Sequence, residues 1–143
     1  MTAYRRILAA LDLTEDSRAV AARACELAQS EAGVVKLLHV VEFVPIEPMS
    51  DSLVPVMQID DQIIARAQAQ IQSLARELGL PPSAGSVEAG SAKMEILRYA
   101  REQNSDLIVL GSRERHGLSI LIHRTEDSVL HGAPCDVLAV RVR

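Results

Sequence analysis

The chain has 143 residues, 48% of them hydrophobic and 24% charged, which is the balance of one soluble globular domain spanning 1–143. Lys and Arg number 15 against 19 Asp and Glu, a formal charge of −4. That sign and the scarcity of aromatic side chains (Tyr4, Phe43, Tyr99) argue against nucleic acid as a partner, since phosphate contacts need many cations and base stacking needs rings.

No apolar run approaches the roughly 20 residues of a membrane span. The opening MTAYRRILAALDL carries no small-residue cleavage site, so it reads as a strand and not as a signal peptide. Cys25 and Cys135 lie far apart and match no metal-binding spacing. The expectation is a cytoplasmic protein with reduced thiols and no membrane contact.

In chain order, Arg6 to Leu13 is a short apolar run of the kind buried on both faces in a parallel sheet. Thr14 is the expected N-cap of a first helix, with Glu15 and Asp16 in its first turn, Val20, Ala24, Leu27 and Ala28 on its apolar face, and Gly33 at its end. Val34 to Glu42 is a second strand, and Phe43 to Pro55 is a proline-rich loop. Val56 to Leu78 reads as the longest helix, with Ile59, Ile63, Ala67, Ile71, Leu74 and Leu78 along one stripe. A weaker strand spans Ser83 to Ala89. Gly90-Ser91 opens a third helix through Arg101, which buries Ile96, Leu97 and Ala100. Asp106 to Gly111 is a strand, and a charged loop follows to Arg124. Thr125 caps a short helix, EDSVLH, stopped by Gly132 and Pro134, and Asp136 to Val142 is the last strand.

Strands alternating with helices imply right-handed crossovers and a parallel sheet covered on both faces. Ligands of such sheets lie at the carboxyl ends of the strands, where the strand order reverses. With the first strand central and the fourth beside it, that crevice is lined by 12–16 and 111–117. The loop after the first strand is acidic and lacks glycine, unlike a flavodoxin phosphate loop. The lysines, Lys36 and Lys93, do not suit a response-regulator receiver. Neither GxGxxG nor GxxxxGK[ST] occurs.

The opening YRRILAALDLTEDS and the closing DLIVLGSRERHGLSILIHRTEDSVLHGAPCDVLAVR resemble the universal stress protein family (UspA-like), from Tyr4 to Arg141. The shared features are a strand ending in Asp before Ser/Thr and acidic residues, a strand ending in Gly, a variable loop, a short helix, and an "APC" turn into a Val-rich strand. The resemblance implies a three-layer, doubly wound, Rossmann-like α/β fold with a five-stranded parallel sheet ordered 3-2-1-4-5. It also implies a homodimer. ATP-binding members carry G-x2-G-x9-G-[S/T] after the fourth strand, where glycines let the backbone wrap phosphates at a helix N-terminus.

Laid on this chain, that motif keeps Gly111 and Thr125 but has Glu114 and Arg124 at its other glycine positions. Glu114 would set a negative charge beside the phosphates, and Glu126 and Asp127 occupy the helix end that would hold them. The expected function is therefore that of a stress-response regulator acting by contact with an unknown protein partner, without a cofactor. The alternative is a nucleotide-dependent switch holding ATP with Mg²⁺, its phosphates gripped by Arg113, Arg115 and Arg124. By family position the nucleotide-binding residues are then Asp12, Val41, Gly111, Arg124 and Thr125. The homodimer is expected through the last strand, at Val137, Leu138, Ala139, Val140, Arg141 and Val142, because an apolar edge strand must be paired or covered.

Other residues read more plainly. Asp12 suits a polar strand end that binds the amides after it. His39, inside the second strand, reads as a hydrogen-bonded histidine and not a ligand. The scattered His39, His116, His123 and His131 make no zinc spacing. Ser17, Ser112, Ser119, Thr125 and Ser128 lack a nucleophile elbow, no nucleophile–base pair is visible, and no enzyme is expected. Cys25 faces the apolar stripe of the first helix. The loop 43–55, with Pro45, Pro48, Pro55 and Met49, is apolar enough to pack over the crevice.

Overall fold

The computed structural model describes residues 4–28, 33–42, 61–113, 129 and 131–142. The loop 43–55, Glu114, Arg124 and Thr125 lie outside them. The strands are β1 (Arg6–Ala10), β2 (Val34–Glu42), β3 (Gly85–Gly90), β4 (Leu107–Arg113) and β5 (Asp136–Val142). The helices are α1 (Ser17–Ala28), α2 (Asp61–Glu77) and α3 (Ala92–Glu102). Val129, His131 and Gly132 are also helical. One five-stranded sheet has the order β3-β2-β1-β4-β5, and every pairing is parallel. This is the expected Rossmann-like sheet.

Two apolar layers cover it, and strand alternation decides which residue joins which layer. Ile7, Ala9 and Leu11 of the first strand region, with Val35, Leu37, Leu107 and Val109, face α1 and α2 through Val20, Ala24, Ile71 and Ala75. Leu8, Leu38, Val40, Ile108 and Leu110 face α3 and Val129. The central strands are thus apolar on both sides, which is why they read as continuous hydrophobic runs.

Several boundaries differ from the sequence reading, each for a local reason. β1 stops at Ala10 and not at Leu13, because Asp12 bonds the segment after it and Leu13 takes a left-handed φ of 57°. α1 begins at Ser17, so Thr14, Glu15 and Asp16 precede the helix and no acid stands in its first turn. Gly33 N–H donates to Ala28 C=O (3.0 Å), consistent with a glycine closing this helix. Pro82–Ala84 forms a 3-10 turn, so β3 starts at Gly85 and not at Ser83. β4 runs on from its expected end at Gly111 through Arg113, so Ser112 and Arg113 are strand and not loop. Gly132 is helical and does not stop the turn before it.

The apolar stripe expected for α2 holds at Ala67 and Ile71 and at the half-buried Leu74 and Leu78, with Ala75 buried beside them, whereas Ile63 is 49% exposed. α3 behaves as expected, with Ile96, Leu97 and Ala100 buried and Ser91 as its N-cap. Gly90 sits at φ 145°, a conformation that side chains rarely adopt, and turns the chain from β3 into that cap.

Candidate functional site at the carboxyl ends of the strands

β1 is the centre of the sheet, and chain connections leave it toward β2 on one side and arrive at β4 on the other. The carboxyl ends of β1, β2 and β4 therefore meet at the switch point. The last β1 pairs are Ala10↔Leu38 and Ala10↔Leu110. Asp12 lies two residues beyond, Val41 lies near the end of β2 opposite Ala89, and Gly111 lies in β4 opposite Val140. The fold brings these three expected positions to the same end of the sheet.

Asp12 is exposed, yet its Oδ1 is engaged by the chain itself. It accepts from Thr14 N–H (3.1 Å), Thr14 Oγ1 (2.7 Å) and Ser17 Oγ (3.0 Å). Ser17 is buried, so its hydroxyl depends on a protein acceptor. The left-handed Leu13 bends the backbone so that one carboxylate oxygen reaches all three donors. Leu13 also packs against the core on the α1 side, which holds it in that conformation. This agrees with reading Asp12 as a strand-end acceptor, while the helix cap expected of Thr14 is replaced by a turn. The link from Asp12 to Ser17 was missed in the sequence. Its signal was the spacing of Asp, Thr and Ser at 12, 14 and 17.

Gly111 has a packing reason of its own. A Cβ there would stand 3.2 Å from Val20 Cγ2 of α1, closer than most real side-chain contacts. Its lack of a side chain lets the first helix lie close to the sheet, so this glycine does not by itself mark a phosphate cradle. Val41 is half-buried, and its neighbour Val40 is buried. His39 is half-buried, and its Nδ1 lies 2.7 Å from the Leu11 carbonyl. It is a hydrogen-bonded strand residue, as its position suggested. At the end of β2, Glu42 Oε1 accepts from Ala92 N–H (3.2 Å), placing a carboxylate at the positive end of α3.

The amino ends of the strands are tied differently. Asp106 accepts from Arg5 N–H (2.8 Å) and Arg6 N–H (2.9 Å), and Tyr4 Oη donates to Asp136 (2.8 Å). The bond to Asp136 is the first cause that raises the Tyr4 pKa. Cys25 and Cys135 are half-buried and free. Burial pushes both thiols up, and Asp106 and Asp136 push Cys135 further. On α3, Arg98 binds Glu95 and Glu102, which favours its charged form still more, and it also approaches Glu88 of β3. Among the described residues, no group of three His, Cys, Asp or Glu side chains could hold a metal ion. Also among them, no helix is long and apolar enough to cross a membrane.

Residues 3–141 match the family model described as "Universal stress protein family". The chain is 34% identical over 144 residues to universal stress protein A homolog 2 of Coxiella burnetii, covering 100% of this chain and 99% of that protein. Among solved structures, a universal stress protein in complex with cAMP aligns with a TM-score of 0.65 at 17% identity, covering 97% of this chain and 98% of the other. The universal stress protein of Archaeoglobus fulgidus in complex with dAMP aligns with a TM-score of 0.63 at 19% identity, covering 96% and 98%. At these identities the structural likeness concerns the fold.

Proposed function

Given that this chain belongs to the universal stress protein family, we propose that it works as a cytoplasmic stress-response regulator: a homodimer that acts by contact with another protein and not by catalysis. The observation that carries this reading is β5. It is seven residues long, contains no proline, and ends the sheet with β4 as its sheet neighbour. Ala139 and Arg141 are exposed, while Val137, Leu138 and Val140 are only half-buried. An edge of this kind offers backbone donors and acceptors with apolar flanks, the chemistry of strand-to-strand pairing. Pairing with its own copy about a two-fold axis would use Val137 to Val142 of both chains and would close the edge.

The test is sedimentation at micromolar concentration. A dimer is expected, and Leu138→Pro with Val140→Pro is expected to give a monomer, because each proline removes a backbone donor. A monomeric wild-type chain, or a dimer that survives both prolines, overturns the reading.

A second reading is favoured by the two structural relatives that hold adenine mononucleotides. In that reading the crevice beside Asp12 and Val41 takes an adenine nucleotide, and the chain is a ligand-dependent switch. A single phosphate asks less of a glycine cradle than a triphosphate does, and Glu114 and Arg124 remove most of that cradle. Calorimetry with ATP and Mg²⁺, and with dAMP, separates the two. No binding of either is expected from the first reading, and micromolar binding of either replaces it.

A further inference from the structure

His39 does more than fill a place in β2, and we propose that it is the positioning residue that sets the turn carrying Asp12. The regular β1–β2 register ends at Ala10↔Leu38. One residue further, Leu11 N–H still donates to Leu38 C=O at 2.8 Å. The Leu11 carbonyl is then taken by a side chain, His39 Nδ1 at 2.7 Å. Leu11 is buried, so its carbonyl needs a partner from the protein. The next residues are Asp12 and the left-handed Leu13, whose conformation lets Asp12 reach Thr14 and Ser17. The imidazole thus fastens the chain where the ladder ends and the bend begins. Left-handed backbone at a leucine is strained, so it persists only where its surroundings hold it.

The bond also fixes the ring chemistry. A carbonyl only accepts, so Nδ1 carries the hydrogen and the neutral ring has its lone pair on Nε2. The tether from His39 to Leu11 needs neither a nucleotide in the crevice nor a second copy of the chain.

The experiment has two parts. Nitrogen-15 spectra of the folded chain with neutral imidazoles are expected to show the Nδ1–H tautomer for His39, and an Nε2–H tautomer overturns the proposal. Amide exchange at Leu11 and Thr14 is then compared in His39→Asn and His39→Gln, against core amides of β4 in the same samples. Asn places a side-chain nitrogen where Nδ1 stands, and Gln places one near Nε2. His39→Gln is expected to speed exchange at both amides about fivefold to tenfold relative to the core, the effect of losing one hydrogen bond. His39→Asn is expected to keep it near the wild-type rate. Equal rates in His39→Gln and the wild type, or equal acceleration in both variants, overturn the proposal. The tautomer decides it alone if neither variant folds.

Discussion

The two ends of the sheet use aspartate for opposite purposes. At the amino ends, Asp106 joins strand to strand: it precedes β4 and takes two backbone amides at the start of β1, while Tyr4 reaches Asp136 at the start of β5. These bonds are exposed, and water can replace them. At the carboxyl ends, Asp12 Oδ1 works within its own stretch of chain. It gathers an amide and a hydroxyl of Thr14 and the buried hydroxyl of Ser17 around a left-handed leucine. One end is latched, and the other is shaped. The shaped end is where the order of strands reverses, the place where sheets of this kind take their ligands.

The comparison is most exposed at Asp12. Asp12→Ala strands the Ser17 hydroxyl and releases the turn, and it is expected to cost about 2–3 kcal/mol in urea unfolding. If the stranded hydroxyl dominates, adding Ser17→Ala recovers part of that loss. A double variant that loses the full sum of the two single changes would put the cost in the turn instead. Asp106→Ala comes next, at about 1–2 kcal/mol in the same assay, since solvent can satisfy the freed amides. A larger loss there than at Asp12 would reverse the contrast between the two ends.

The smallest effect belongs to Tyr4→Phe. The Tyr4 hydroxyl has a pKa raised above the ordinary 10.0, chiefly by its bond to Asp136. The folded chain therefore keeps this proton longer than the unfolded chain. Its contribution is complete below pH 10 and is lost as pH rises through the raised value. Thermal melts of Tyr4→Phe are expected to lie close to the wild type at neutral pH and to show a shallower alkaline decline. An unchanged alkaline limb would mean that the latch at Asp136 carries no weight.

The frame of the molecule was legible because parallel strands buried on both faces announce themselves: ILAA, VVKLLHVV and DLIVL are apolar at successive positions. β5 was located residue for residue. The order of the strands came from the family resemblance carried by both ends of the chain, since alternation alone does not say where each new strand is added. Turn geometry was not legible. ILAALDL continues apolar through Leu13, and nothing in a hydrophobic pattern says that Leu13 is left-handed or that a carboxylate stops the strand. Gly111 showed the reverse problem. Its glycine looked like part of a phosphate loop, and the close approach of Val20 that accounts for it exists only after α1 is folded onto the sheet. His39 was legible as a bonded strand histidine, but its partner was hidden, because Leu11 is 28 residues away in sequence.

Two shielded sulfhydryls have a consequence for how such a molecule meets oxidants. Because burial holds Cys25 and Cys135 above their usual pKa, the reactive thiolate is scarce at neutral pH. Alkylation of both half-buried thiols in the folded chain at neutral pH is then expected to run slower than that of a free cysteine.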